Sequence, residues 1–278
     1  MTDSIEKIGR SIIQHGPYNQ RIYLMKLDQR DSVEIFSDID RLSKEKGYGK
    51  ILLKVPMVHE PLLIKQGYAK EAVIPEYFIN CEDAVFMCRY NSASRAQMTH
   101  ENEIKNILAN ALQRNKLPKT GKLTYRGSVD TGRPEDAHEM SRVYKKVFGT
   151  YPFPIFDANH LAEMIQQEST QYFYIRESGR IAALAGAEID QSNQTVEMTD
   201  FATLPEHLGK GFAARLLEEM EKRMARQGIR IAFSIARALS PAMNTLFSGR
   251  GYAFGGTLVN NTNIAREIES MHVWYKSL

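Results

Sequence analysis

The sequence predicts a mixed α/β fold built from two similar halves. Short apolar strands alternate with amphipathic helices along the chain. Each half contains a helix that ends at a glycine, then the strand KILLKV or RIAFSI, then a short helix that ends in Gly-Tyr. We therefore predict a duplicated half-domain. Unrelated helix–strand–helix units would give the same pattern, and this alternative stays open at this point.

Length and composition exclude several classes of protein. The 278 residues suffice for two domains at ~100–200 residues each. Hydrophobic residues make up 43% of the chain and charged residues 25%, which is ordinary globular usage. No apolar run reaches the ~20 residues of a membrane helix, and the first residues, MTDSIEKIGR, contain no apolar signal core. We therefore expect a cytoplasmic protein without a membrane partner.

Charge and potential metal ligands also narrow the function. The 36 Lys and Arg residues against 33 Asp and Glu residues give a net charge of +3, too small to indicate a nucleic-acid partner. The two cysteines cannot form a disulfide framework or a zinc site. The seven histidines have no metal-ligand spacing. We expect neither a metal nor a nucleic acid at the functional site.

The first domain is predicted over residues 1–90. Apolar spacing predicts a helix over 32–46, a strand over 50–56, a short helix over 59–65, and strands over 71–74 and 84–90. The composition then becomes polar, and we place a linker over 91–122. This linker contains one amphipathic helix, whose apolar positions are Ile104, Ile107, Leu108 and Ala111.

The second domain is predicted over 123–278. Its elements are, in order, a strand in LTYRGSVD, a helix that begins at Pro134, an aromatic loop over 151–157, a helix through Leu161, a hairpin that turns at Ser178-Gly179, a strand over 196–204, a helix over 212–227, a strand in IRIAFSIA, a helix over 240–250 and a β-rich end. Gly228 ends the long helix, as a glycine at that position should.

The turn Gly209-Lys210-Gly211 joins a strand directly to the long helix. Glycines let a ligand approach the backbone, and the first turn of a helix offers free N–H groups and a partial positive charge. Such a turn can bind a pyrophosphate. The segment lacks the Lys-Ser/Thr pair of a P-loop and the glycine spacing of a dinucleotide fingerprint. A plain strand–helix turn is the alternative.

The element order of the second domain resembles that of the GNAT acetyltransferases. The segment 208–213, LGKGFA, resembles their acetyl-CoA loop, Arg/Gln-x-x-Gly-x-Gly/Ala: Gly211 and Ala213 match, whereas Leu208 stands at the Arg/Gln position. The resemblance covers roughly 123–278, and the first half looks like a degenerate C-terminal half of the same fold. The segments TDFATLP, Met243-Asn244, GGTLVNNTNI and ESMHVWYKSL are in addition similar to the β-lysine N-acetyltransferases.

The resemblance implies an N-acetyltransferase that uses acetyl-CoA as co-substrate and acetylates the ε-amino group of β-lysine, which would yield a compatible solute. The residues expected to contact acetyl-CoA are Ala202, Thr203, Leu204, Leu208, Gly209, Lys210, Gly211, Phe212, Ala213, Asn244 and Phe247. A backbone N–H near 202–204 is expected to stabilise the oxyanion. Another amine (a polyamine, a lysine analogue or a protein lysine) and a non-catalytic CoA-binding sensor stay as alternatives, and a homodimer is left open.

Two carboxylates are candidates for the catalytic base. An ammonium of pKa ~10.4 must lose a proton before it attacks the thioester. Glu197 lies five residues before Ala202, where histone-acetylating relatives carry their base, although a solvated or ion-paired carboxylate is the alternative. Strict alternation puts Asp200 on the opposite face of the strand. The resemblance leads us to expect a bulge that turns Asp200 inward, toward the cationic end of the substrate.

Two further groups are candidate substrate contacts. Tyr151, Phe153, Phe156 and Asp157 would form an aromatic wall with one carboxylate, or else a plug in the loop; Asn260, Asn261 and Thr262 would bind the polar end, or else form an Asx turn. No general acid is identified, because Phe247 stands where many relatives have a tyrosine and Tyr252 occupies a position typical of the core.

Overall fold

The computed structural model describes residues 3–115, 125–264 and 267–278, which form one mixed sheet of 13 strands with helices packed against it. The elements up to residue 115 are β1 (Ser4–Ile8), β2 (Ser11–Gly16), β3 (Arg21–Lys26), α1 (Glu34–Lys46), β4 (Lys50–Pro56), α2 (Glu60–Lys65), β5 (Ala69–Ile74), β6 (Ala84–Tyr90), α3 (Ala93–Ala96) and α4 (Glu101–Asn115). The remaining elements are β7 (Asp130–Thr131), α5 (Ala137–Val147), α6 (Ala158–Gln166), β8 (Thr170–Glu177), β9 (Arg180–Asp190), β10 (Thr195–Thr203), α7 (Phe212–Arg226), β11 (Ile231–Arg237), α8 (Pro241–Gly249), β12 (Ala253–Ile264) and β13 (Glu267–Ser277).

The two halves of the sheet repeat one strand order. The first half runs β1-β2-β3-β4-β6-β5, and the second, read from its outer side, runs β8-β9-β10-β11-β13-β12, with β7 beyond β8. In both halves the third and fourth strands are parallel and the other neighbours are antiparallel. The α/β class and the repeat are confirmed. The domain limits at 90 and 123 stay a prediction, since the sheet continues across both halves.

Two glycines let the halves meet at β5 and β12. Gly256 lies opposite Ala72, and a Cβ on Gly256 would lie 2.1 Å from the carbonyl oxygen of Glu71. A Cβ on Gly255 would lie 2.5 Å from the carbonyl oxygen of Val73. These are contacts to backbone, which cannot rotate away. Side chains are therefore excluded at both positions, and the two strands approach closely.

A buried ion pair also joins the two halves where β5 meets β12, a junction that we call the seam. Lys50 is fully buried, and its Nζ donates hydrogen bonds to Glu71 Oε2 and to the carbonyl oxygen of Val259, both at 2.7 Å. The N–H of Val259 in turn donates to Glu71 Oε1 at 3.0 Å. Both backbone groups of this β12 residue are thus satisfied by side chains of the first half. The opposite charges of Lys50 and Glu71 thus pair with each other, and both side chains form hydrogen bonds with the backbone of Val259. Buried charges are stable only when they are paired in this way.

The segment predicted as a linker packs on both halves. The guanidinium of Arg95 donates to the carbonyl oxygen of Asn260 and to that of Asn19, both at 2.7 Å. Helix α4 packs on α8, and Ala111 belongs to the core of the second half. Two sequence-based assignments change. Strands β1–β3 were not predicted, and within LTYRGSVD residues 125–129 are irregular, with only Asp130 in a strand; residues 123–124 lie outside the described residues.

Helix α7 positions the predicted cofactor loop. Its apolar face (Leu216, Leu217, Met220 and Met224) is buried against β9 and β10, as the sequence predicts. Because β10 and α7 are packed together, the loop between them is held at the end of β10. None of the helices within the described ranges has both the length and the apolar character needed to cross a membrane.

Candidate active site

Strands β10 and β11 separate beside the predicted cofactor loop. They are paired from Thr195 to Glu197, and no paired register extends further along the described strands. The N–H of Leu204 donates to Ala182 on the β9 side at 2.9 Å. Because successive residues of a strand point their backbone groups to opposite sides, the N–H of Thr203 is directed away from β9, toward the gap. The predicted oxyanion segment thus has a backbone donor on the open side.

The glycine loop ends at an uncapped helix N-terminus. Gly209 has φ 77° and Gly211, the N-cap of α7, has φ 81°, a region that glycine adopts without strain. No side chain within the described residues caps this end. The first intrahelical bond is donated by Arg215 to Gly211, so the N–H groups of Phe212 and Ala213 have no acceptor within the helix. This end of α7 can receive an anion.

Two side chains predicted to contact acetyl-CoA lie in the core instead. Asn244 is 0% exposed; its Oδ1 accepts hydrogen bonds from His272 and Trp274, and its Nδ2 donates to the carbonyl oxygen of Ser240 at 2.8 Å. Phe247 is also 0% exposed and packs on Tyr252. Neither side chain offers surface to a ligand, which corrects the predicted contacts. At the loop itself, Leu208 is 65% exposed.

A β-bulge turns Asp200 inward, as predicted. The β9–β10 register shifts between Thr199 and Ala202, and Asp200 has φ 57° and is 6% exposed. Asp200 Oδ1 accepts hydrogen bonds from the Tyr151 hydroxyl and from Thr199 Oγ1. Burial raises the pKa of Asp200 to about 6, although both hydrogen bonds oppose this rise. A non-glycine residue with positive φ beside a strand gap marks a site held against local preference.

Two glutamates face each other beside this bulge. Glu188 on β9 lies directly opposite Glu197 on β10, an arrangement that is unfavourable when both are charged. Burial, together with Glu197 and Asp200, raises the pKa of Glu188 well above its usual range. Burial raises the pKa of Glu197 to about 7, while Lys54 and a backbone hydrogen bond from Ile235 lower it. The three carboxylates form one acid cluster, in which burial raises the pKa of every member.

Lys54 on β4 brings a cation from the first half to this acid cluster. Its Nζ donates to the Tyr77 hydroxyl at 3.0 Å and lies 5.1 Å from the centre of the Tyr77 ring and 5.3 Å from that of Phe233. Phe233 is the β11 residue opposite Glu197. Burial lowers the pKa of Lys54, but its interactions with Tyr23, Tyr77 and Glu197 outweigh burial and raise it. Lys54 is therefore charged at neutral pH.

The predicted aromatic wall is only partly assembled. Tyr151 contacts Asp200 and packs on Phe148, whose ring centre is 4.8 Å away. Phe153 is half-buried and packs against the apolar cluster to which α5 contributes. Asp157 is the N-cap of α6, where it accepts a hydrogen bond from the Asn159 N–H at 2.9 Å. With Phe156 it lines a cleft of about 560 Å³ whose lining residues do not include the acid cluster. The substrate contacts of Phe153, Phe156 and Asp157 stay a prediction.

The segment Asn260, Asn261 and Thr262 lies at the seam between the halves. A bulge between Leu258 and Thr262 places Asn260 at φ 43°. Its side-chain amide donates to the carbonyl oxygens of Arg95 and Gln97 and accepts from Thr99, so it is fully used within the protein. Arg21 donates to the carbonyl oxygen of Asn261 and to Thr262 Oγ1. Asn260 therefore joins the halves, which corrects its assignment to the substrate, whereas substrate contacts of Asn261 and Thr262 stay a prediction.

Comparison with known proteins identifies the family. The Acetyltransferase (GNAT) family profile matches residues 137–252. The chain is 38% identical to the Beta-lysine N(6)-acetyltransferase of Methanococcus maripaludis, over 99% of this chain and 98% of that protein. The chain belongs to the GNAT acetyltransferase family. It is also 35% identical to the N-acetyltransferase YodP of Bacillus subtilis over the full length of both, and 29% identical to the Beta-lysine N(6)-acetyltransferase of Methanosarcina mazei over 88% of this chain and 97% of that protein.

This GNAT acetyltransferase is an N-acetyltransferase whose family uses acetyl-CoA as donor. Its residues fit that donor at two places: the uncapped end of α7 suits the pyrophosphate, and the gap between β10 and β11 offers backbone groups to an extended chain. Within the ranges that the structure describes, no group of three or more His, Cys, Asp or Glu side chains is arranged to hold a metal ion.

Two residues at the acid cluster of this acetyltransferase, Glu188 and Lys54, were not among the site residues predicted from the sequence. For each of the two residues, a feature of the sequence could have indicated a special role. Glu188 precedes the turn of the β9–β10 hairpin, and the hairpin register alone pairs it with Glu197. Lys54 interrupts the apolar strand KILLKVP, where an unpaired charge is costly.

Proposed function

We propose that the protein transfers the acetyl group of acetyl-CoA to the ε-amine of β-lysine. The observation that carries the proposal is the acid cluster (Glu188, Glu197 and Asp200) beside the gap in the sheet, with Lys54 next to it. β-Lysine has two ammonium groups and one carboxylate, so its charges complement three carboxylates and one ammonium. The names of two relatives that match nearly full length support the same substrate.

The donor would lie along the gap and the glycine loop. Bound acetyl-CoA supplies a thioester carbonyl that an amine can attack. The backbone of Gly209 and Gly211 leaves room for the pyrophosphate, and the N–H groups of Phe212 and Ala213 would bind it. The N–H of Thr203 would hold the oxyanion, because it faces the gap and needs no reorganisation to do so. Leu208 would contribute apolar surface only.

Glu197 would act as the base and Asp200 would hold the cationic substrate. An ammonium of pKa ~10.4 gives up its proton more readily to a carboxylate of pKa near 7 than to an ordinary one near 4.3. Burial gives Glu197 this basicity, and Lys54 keeps part of the population ionised at neutral pH. Asp200 is fixed by Tyr151 and Thr199, which suits a residue that orients rather than exchanges a proton.

The proposed product has one ammonium and one carboxylate, and therefore no net charge. A small molecule of this kind can accumulate without disturbing the charge balance of the cell, which is what a compatible solute requires. The proposal accordingly places the enzyme in the cytoplasm and its substrate among small-molecule amines.

Release of free thiol from acetyl-CoA tests the proposal. The substrates to compare are β-lysine, α-lysine, spermidine and a lysine-containing peptide. We expect the highest kcat/KM for β-lysine, because a site built to pair with polar groups rejects analogues that misplace them. A higher value for spermidine or the peptide would contradict the proposed substrate. Binding of CoA without thiol release from any amine would instead indicate a sensor.

A further inference from the structure

Lys50 and Lys54 lie four residues apart on β4, so their side chains point to the same face of the sheet, but their surroundings differ. Lys50 is paired with Glu71 at 2.7 Å. Lys54 is partly buried between the halves, and in the described chain no carboxylate lies within 4 Å of its Nζ. Among the described residues, its one hydrogen bond to a side chain goes to the hydroxyl of Tyr77. This partly buried ammonium therefore has no direct counterion among the described residues, which is costly unless a ligand supplies one.

The surroundings of Lys54 hold it at the acid cluster. The rings of Tyr77 and Phe233 lie against the ammonium, and cation–π contact keeps it in place without neutralising it. Phe233 is paired with Glu197 across β10 and β11. Lys54 interacts electrostatically with Tyr23, Tyr77 and Glu197, and also with Glu188 of the same acid cluster. One unpaired cation next to several carboxylates is an arrangement that suits a ligand carrying both signs of charge.

We propose that Lys54 binds the carboxylate of the substrate and makes the enzyme select amino acids over diamines and polyamines. This inference rests on the proposed function, since it assigns one end of the same substrate. The acid cluster would bind the ammonium groups, and the ammonium of Lys54 would donate to the carboxylate oxygens. The connection from β3 to α1 in the first half, residues 27–33, contains no glycine and so offers no equivalent cofactor loop. The first half would instead supply the specificity of the site in the second half.

The test compares β-lysine with its decarboxylated analogue, a pentanediamine that keeps both amines. In Lys54→Gln, kcat/KM for β-lysine should fall about 10- to 100-fold, the size of one charge-assisted hydrogen bond. The value for the diamine should change much less. The ratio of the two values is the readout, because any effect of Lys54 on the ionisation of Glu197 acts on both substrates and cancels. Lys54→Arg keeps the charge and should retain more of the ratio than Lys54→Gln.

Lys26→Gln is the matched control. Lys26 also reaches from the first half to the second, where it contacts Asp190 at 3.3 Å, but its side chain is 49% exposed and lies outside the acid cluster. This variant should leave the ratio unchanged. An unchanged ratio in Lys54→Gln would overturn the proposal. If kcat/KM fell equally for both substrates and the pH profile shifted, Lys54 would only tune the pKa of Glu197, which would also overturn the proposal.

A measurement on the wild-type protein covers the case in which Lys54→Gln does not fold. The carboxamide of β-lysine has the same shape without the negative charge, and its kcat/KM should lie well below that of β-lysine. Equal values would overturn the role of Lys54. The proposed function fails separately, if wild-type protein prefers spermidine or the peptide over β-lysine.

Discussion

Replacing Glu197 by Gln tests the assignment of the base. The substitution keeps the shape of the side chain and removes its ability to accept a proton. Burial raises the pKa of Glu197 to about 7. The ionised fraction then rises from roughly 10% at pH 6 to roughly 90% at pH 8, so the wild-type kcat/KM should rise about ninefold over this range. Loss of a general base typically lowers the rate ~10²–10⁴-fold, and we expect a loss of this size at pH 8.

The assay is thiol release at several pH values with saturating acetyl-CoA. The amine itself loses protons as the pH rises, in the wild-type protein and the variant alike. The ratio of wild type to variant at each pH therefore isolates Glu197, and this ratio should increase from pH 6 to pH 8. Lys54 lowers the pKa of Glu197 and Asp200 raises it, so Asp200→Asn should move the midpoint of the rise to lower pH.

Two outcomes would refute the reasoning. A ratio that does not depend on pH would mean that Glu197 is not the titrating base. A pH profile that survives in Glu197→Gln and collapses in Asp200→Asn would reverse the two roles. Because the carboxylates of the acid cluster are coupled, the measured midpoint belongs to the cluster, and only the comparison of variants assigns it to one residue.

Three further substitutions test the cofactor loop, the bulge and the seam. Gly211→Val places a β-branched residue at φ 81° where the pyrophosphate is expected, so calorimetry should detect no acetyl-CoA binding while circular dichroism stays native. Gly49→Ala should leave the affinity unchanged, because its Cβ would make only ordinary contacts, with Ser92 Oγ at 3.5 Å and with the Arg95 side chain at 3.7 Å. Asp200→Asn should raise KM for the amine more than it lowers kcat, and a pure kcat effect would contradict its binding role. Gly256→Ala should lower the free energy of unfolding by about 2–6 kcal/mol, from overpacking and backbone strain, because its Cβ would lie 2.1 Å from a carbonyl oxygen. A denaturation midpoint equal to that of the wild type would contradict the close approach at the seam.

Local pattern was enough to predict the repeating unit and the loop. Glycine positions, helix periodicity and short apolar runs give the order of helix α7, strand β11 and helix α8, because these elements depend on residues close in sequence. The inward turn of Asp200 was also predicted, though from resemblance, since alternation alone points it outward.

The parts that failed depend on contacts between distant residues. Asn260 has the composition of an Asx turn, but its partners, Arg95 and Gln97, lie more than 160 residues away in the sequence. Asn244 belongs to a motif shared with relatives, and its role emerges only from the positions of His272 and Trp274. No local pattern predicts that Lys54 stands beside Glu197, because that proximity arises from the folding of one half onto the other.

The pairing of β5 with β12 also determines how the active site responds to dilution. A GNAT domain without the first half would leave the edge of β12 free to pair with a second molecule. Any part of the active site that the second molecule supplied would be lost at low concentration. Here β5 of the same chain pairs with β12, and the first half that contains β5 also supplies Lys54. This part of the active site is therefore assembled within one molecule, and its effective concentration is fixed by the fold. The specific activity should stay constant on dilution, and any homodimer must form through other surfaces.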